Sequence, residues 1–147
     1  MLKHTILVVL AAICLGTSTF AGRNDEVTLF DATGKPVAYV ADGLTIYLWS
    51  GKPVAYLWED RRGGFHIYGF NGKHLGWFVK GVVRDHNGDA AGGLKETFRS
   101  ATQLEPLKDL KELKPLKGLR ELPPLRPLFS LEWSETPLKF LLLDGVE

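Results

Sequence analysis

Between residues 27 and 93, apolar and polar positions alternate in short runs punctuated by glycine. Gly34, Gly51, Gly72 and Gly88 mark the punctuation, with spacings of 17, 21 and 16. Before each glycine lies a strand-like run: Val27–Phe30, Leu44–Trp49, Phe65–Phe70 and Val82–Arg84. After each lies a second short run. The joints are Ser50-Gly51, Asn71-Gly72, Asn87-Gly88 and the longer Ala32-Thr33-Gly34. Asn-Gly between β-rich runs signals a type I′ hairpin, because both central residues of that turn need positive φ. The pattern predicts an all-β domain of four β-hairpin repeats over residues 27–93.

A two-residue loop at Ser50-Gly51 sets a register. It places Leu48 opposite Pro53, where the missing N–H of proline faces outward and blocks a neighbouring strand. The expectation is separate two-stranded petals, not one continuous sheet. Thr45, Tyr47, Trp49, Val54 and Tyr56 share one face; Leu44, Ile46, Leu48, Ala55 and Leu57 share the other. In the third hairpin the same register puts His66 and His74 on opposite faces, too far apart to share a metal. Small residues recur at one place, Ala38, Ala55, Gly76 and Gly92, which predicts close approach of the petals at an axis.

After a linker at 94–103 the period changes. Ten leucines stand at every third position from Leu104 to Leu131. An α-helix cannot keep them on one face, and Pro106, Pro115, Pro123, Pro124 and Pro127 exclude a long helix. Polyproline II has three residues per turn, so it aligns the leucines on one edge, Lys108, Lys111, Lys114, Lys117, Arg120 and Arg126 on the next, and acidic residues with prolines on the third. At about 3.1 Å per residue this ribbon reaches roughly 87 Å, about three widths of a small domain. It must wrap, fold back (Gly118 is the obvious hinge) or project. Leucines packed on the domain would supply core that a small domain lacks. Residues 132–147 hold Trp133 and then Thr136-Pro137, an N-cap and first-turn pair before a short apolar helix at Leu138–Leu143.

The tandem Gly34-Lys35-Pro36-Val37-Ala38-Tyr39 and Gly51-Lys52-Pro53-Val54-Ala55-Tyr56 belong to a wider pattern. Its other parts are the stretch Ile67–Trp77 and Arg84-Asp85-His86-Asn87-Gly88. Together these residues resemble the four-fold beta flower domain of bacterial proteins, over about residues 27–93. The resemblance implies four hairpins arranged as petals around a pseudo-fourfold axis. It implies no biochemical activity.

Other features place the chain and narrow its chemistry. Residues 1–21 have the form of an export signal: Lys3 and His4, an apolar run Ile6–Leu15, and Thr19-Phe20-Ala21 as a cleavage site, leaving 22–26 as the mature N-terminus. Ten apolar residues are too few to span a bilayer. Cleavage removes Cys14, the one cysteine, and Lys3, leaving 17 basic and 17 acidic residues. That balance argues against a nucleic-acid binder. Asp85-His86-Asn87-Gly88-Asp89 has the start of a calcium loop, but Leu94 stands where an acidic ligand belongs, and a hairpin turn explains the same residues. Arg120–Arg126 begins like an SH3 ligand and then places Arg126 at the second proline position. No cofactor or metal is expected.

These observations favour an exported, periplasmic or extracellular, non-enzymatic structural or binding module. Its tail would pack on its own domain or capture a partner, possible routes to self-association. The alternative is carbohydrate or cell-wall binding by exposed aromatics. Its candidate residues are Tyr39, Trp49, Tyr56 and Trp77, with Lys35, Lys52 and Lys73 beside the turns. A core role for the same aromatics competes with it. A third possibility, an enzyme, requires two of His66, His74 and His86, or an acid pair, to meet in one pocket.

Overall fold

The structure, a computed structural model, describes residues 26–147; the expected export signal lies outside the described residues. Eight strands follow in order: β1 (Val27–Asp31), β2 (Pro36–Ala41), β3 (Thr45–Leu48), β4 (Pro53–Glu59), β5 (Phe65–Gly69), β6 (His74–Val79), β7 (Val82–Arg84) and β8 (Ala90–Gly93). Each pairs antiparallel with the next. β8 returns to β1 through Phe30↔Gly93 and Asp31↔Gly92, closing an all-β barrel of four hairpins. The hairpins are therefore not isolated units, contrary to the proline argument. Pro36 and Pro53 stand two residues before the inter-hairpin ladders begin, at Ala38↔Leu48 and Ala55↔Gly69. Proline thus parts the petals only at their tips; their bodies join into one sheet.

Three of the tips also differ from the expected two-residue loops, while the first has the longer loop that Ala32-Thr33-Gly34 predicts. In all four, the glycine N–H donates to the carbonyl three residues earlier, as in Gly51 to Leu48 (2.8 Å). The residue after each glycine closes the loop, as Leu48 N–H to Lys52 O does at 2.9 Å. Only the glycines, at φ 80°, 89°, 91° and 87°, adopt the left-handed conformation. These are three-residue loops, type I turns with a glycine bulge. The type I′ form fails because it needs positive φ at Thr33, Ser50, Asn71 and Asn87 as well. Each hairpin then has a second irregularity further in, between Leu29/Phe30, Ile46/Tyr47, Ile67/Tyr68 and Val83/Arg84. The two shifts cancel. The strand bodies keep the expected pairs Ile46↔Ala55 and Ile67↔Gly76. Residues between the shifts change face, since one residue of slip reverses side-chain direction.

The inward faces form one apolar core that includes Leu29, Ala38, Ile46, Ala55, Ile67 and Val83. The helix α1 (Leu138–Leu143) plugs it, with Leu138, Leu141 and Leu142 buried in the same cluster. The small residues do allow neighbouring petals to approach closely, since a Cβ on Gly92 would strike Phe30 O and one on Gly76 would strike Arg84 O; the helix shares this space, Leu138 Cδ2 lying 2.8 Å from the Gly92 position. Thr136 is not the cap. Pro137 occupies that position, with no side-chain capping bond.

The ribbon wraps. Its amides donate to the tip-glycine carbonyls at Gln103→Gly34 (2.8 Å), Glu112→Gly51 (2.9 Å), Glu121→Gly72 (3.0 Å) and Ser130→Gly88 (3.0 Å). The donors are nine residues apart, three polyproline turns or about 28 Å. Gly118 is no hinge; its N–H donates to Phe70 O at 2.6 Å, and a Cβ there would lie 2.9 Å from the Asn71 backbone. The ten leucines face solvent, 88–100% exposed, and supply no core.

The tips must be glycine for two separable reasons. Gly43 and Gly51 both have positive φ, but a Cβ on Gly43 meets open space while one on Gly51 would lie 1.9 Å from Leu110 O. Gly43→Ala is expected to cost about 1–2 kcal/mol for backbone conformation alone. Gly51→Ala adds about 1–3 kcal/mol of overpacking. Urea unfolding of the two variants checks this; equal losses would mean that the ribbon does not seat against Gly51.

Candidate functional site

The ribbon meets the barrel along the seams between hairpins. At the first seam Tyr39 pairs with Tyr47 across β2 and β3, rings 5.5 Å apart; at the second Tyr56 pairs with Tyr68 across β4 and β5, 6.2 Å apart. A ribbon cation lies over each: Lys108 Nζ is 4.8 Å from the Tyr39 ring and Lys117 Nζ is 4.2 Å from Tyr56. A second follows three residues later, Lys111 over Tyr47 (5.5 Å) and Arg120 over Trp58 (3.6 Å). Each such pair contributes about 0.5–2 kcal/mol, more where water is excluded. The basic edge, not the leucine edge, is the adhesive one.

The third seam reverses the partners. Trp77 pairs with Arg84 across β6 and β7, and Phe129 takes the ribbon position of Lys111 and Arg120. The Arg84 guanidinium is 4.9 Å from the Phe129 ring, so here the barrel brings the cation and the ribbon the aromatic.

Carboxylates fix the cations further. Lys111 bridges Glu26 (2.9 Å) and Asp42 (3.1 Å), and Lys108 also reaches Glu26 (3.0 Å). Burial acts to raise the Glu26 pKa, but hydrogen bonds from Lys111 and Lys108 outweigh it and leave it lowered. Burial likewise opposes charge on Lys111, and its two carboxylate partners hold its pKa raised. Arg126 reaches buried Asp60 at 3.3 Å.

At the third seam the histidines converge, against the expectation that His66 and His74 face apart. His74 lies between the two register shifts and so turns to the His66 face, pairing with Tyr68. His66 Nδ1 is 3.0 Å from His74 Nε2, and His74 Nδ1 is 3.0 Å from His86 Nε2. Asp60 lies 3.7 Å from His66 Nε2. The donor direction along the chain is set by the tautomers: a hydrogen on the Asp60-facing Nε2 of His66 requires His74 to donate to His66 and His86 to donate to His74. The chain runs from exposed His86, through buried His74, to His66 in a cleft of about 930 Å³. Ribbon residues 117–126 wall the cleft on one side, and Trp58, Glu59, Asp60, Tyr68 and Trp77 on the other. The arrangement can pass a proton from solvent toward Asp60. It does not converge on a metal position; among the described residues no group of three or more His, Cys, Asp or Glu does so. The Asp85 carboxylate is used by its own turn, accepting from the Asn87 and Asp89 amides at 2.9 Å.

The remaining candidate residues separate by burial. Tyr39 and Tyr56 are buried with ribbon lysines over their rings, and Trp77 is buried among His66, His74 and His86 at the wall of the cleft. Trp49 is half-buried, its indole N–H donating to Pro106 O at 3.2 Å. Lys35 and Lys52 are exposed at the tips, and Lys73 pairs with Asp144 at 3.1 Å. Two features escaped sequence reasoning. One is the nine-residue period within the three-residue one, written in Pro106, Pro115, Pro124 and in Lys108, Lys117, Arg126. The other is the histidine chain, whose signal was hidden by the doubled register shift.

A family model described as 4-fold beta flower protein matches residues 27–142, spanning barrel, ribbon and most of the helix. No curated protein and no solved structure matches.

Burial, with the charges of His86 and His66 adding to it, pushes the His74 pKa down from 6.5 to about 3; burial lowers His66 as well. The unfolded chain therefore binds these protons before the folded one does. Stability is complete above pH 6.5 and falls as pH drops from there toward 3. For His74 the expected loss between pH 7.5 and pH 5 is roughly 2 kcal/mol by urea unfolding. His74→Gln should flatten this slope; an unchanged slope would remove His74 as its source.

Proposed function

The chain belongs to the 4-fold beta flower family, and from that premise we propose that it is an exported, non-enzymatic structural or binding module. Its barrel serves to hold the ribbon in a fixed curve, with the leucine ridge as its working surface. One observation carries this reading: all ten leucines are exposed while the basic edge of the same ribbon is turned onto the barrel. Burying ten leucines elsewhere would contribute on the order of 15–30 kcal/mol, yet the fold directs cations inward instead. An exposed row of ten leucines marks an interaction site. Export rests on the leader-like residues 1–21.

Against glycan binding, ribbon lysines lie over Tyr39 and Tyr56, and histidines pack on Trp77. The enzymatic alternative gains one observation, the histidine chain ending at a cleft that also holds Glu59 and Asp60. Against it, His74 stays neutral and Arg126 already engages Asp60. Among the described residues no helix is long and apolar enough to cross a membrane.

Serine at Leu107, Leu116 and Leu125 tests the ridge in protein recovered from outside the cytoplasm. The triple variant should keep its unfolding free energy within about 0.5 kcal/mol per site, as exposed positions do, and lose retention on phenyl-agarose. A drop of several kcal/mol would make the leucines core, and absence of the protein outside the cytoplasm would contradict export.

A further inference from the structure

We propose that the leucine ridge pairs with the same ridge of a second copy of this chain, related by a twofold axis. The inference rests on the reading of the ridge as the working surface and names its partner. Extent is the first argument. At about 60–120 Å² of transferable apolar surface per leucine, the ridge presents on the order of 600–1,200 Å². A stable protein interface needs roughly 800 Å² per partner, and the largest patch on an ordinary monomer is about 300–600 Å². Most of the ridge is therefore needed for a stable dimer, and the whole is more than an ordinary monomer leaves bare.

Spacing is the second argument. Leucines at every third polyproline position repeat at about 9.3 Å, leaving a gap of the same period between them. A surface that fills those gaps in phase needs the same repeat, and a second ridge has it. A twofold operation lays one ridge antiparallel on the other, each leucine entering the partner's gap, the self-complementary form of a C2 interface.

Charge is the third argument, and it separates a protein partner from a lipid one. Membrane-surface segments pair their apolar face with a free basic rim that meets anionic headgroups. Here the rim is already engaged. Lys108 and Lys111 hold Glu26, Lys114 Nζ donates to Asp42 O, Lys117 and Arg120 lie over aromatic rings, and Arg126 holds Asp60. These contacts turn the cations of that edge toward the barrel and away from the ridge, whose own surface is apolar, as the centre of a protein interface is.

Native mass of the exported protein, measured across a dilution series, tests the pairing. The expected result is a dimer that dissociates on dilution, and a monomer for the double variant Leu110→Glu, Leu119→Glu with an unchanged circular dichroism spectrum. Should that variant fail to fold, the triple serine variant replaces it, with weakened dimerisation expected. A wild-type monomer at every concentration overturns the proposal, as does a dimer unaffected by the ridge variants. A monomer that floats with phosphatidylcholine vesicles overturns it in favour of a membrane. Retention on phenyl-agarose separates the two levels: a monomer that is retained loses only the pairing, whereas one that is not retained loses the ridge reading too.

Discussion

A chain in polyproline II makes no hydrogen bonds to itself, so it keeps a defined course only where something else takes its amides. In this protein that something is the turn glycine of each hairpin. The tip carbonyls of Gly34, Gly51, Gly72 and Gly88 accept from ribbon amides nine residues apart. The approach is so close that a Cβ at Gly51, Gly72 or Gly88 would fall within 1.9–2.3 Å of a ribbon carbonyl. Glycine thus makes the three-residue tip loop and the docking surface with one substitution-intolerant atom count. The outward N–H next to each tip follows the same division. Pro36 and Pro53 have none, while His74 donates to Glu121 Oε1 (2.7 Å) and Ala90 donates to Glu132 O (2.9 Å).

Once the backbone is anchored every third polyproline turn, the three edges of the ribbon are committed. One edge must face the tyrosine seams, and the cationic edge does. A buried tyrosine face attracts an ammonium or guanidinium more strongly than exposed surface does, because water no longer screens the pair. The leucine edge is left outside as a consequence of that choice. The third seam shows that the constraint concerns the pair and not the residue: Arg84 and Phe129 exchange roles and the contact survives. The same seam carries the histidine chain, so the proton-sensitive part of the molecule lies where barrel and ribbon join.

Much of this was legible in the residues. Strand runs, the four glycines and the polyproline period give the all-β hairpin fold, the wrapped or projecting ribbon and the short terminal helix. The strand register was also correct in the hairpin bodies, although the turn type was not, since two one-residue shifts cancel. What cancels in the bodies does not cancel between the shifts, and His74 is there. That is why its partnership with His66 could not be read from alternation. The direction of the leucines was missed for a different reason. Ten aligned apolar residues beside a small domain look like missing core, and only the nine-residue recurrence of Lys108, Lys117 and Arg126 against the tyrosines indicates which edge the barrel selects.

Amide hydrogen exchange on the full chain reaches the anchoring most directly. A ribbon held at the four tips protects the amides of Gln103, Glu112, Glu121 and Ser130 at nine-residue intervals, with Asp109 and Gly118, which donate to Trp49 and Phe70, while leucine amides such as Leu113 and Leu122 exchange freely. Uniformly fast exchange from Leu104 to Leu131 would show that the turn glycines do not hold the ribbon.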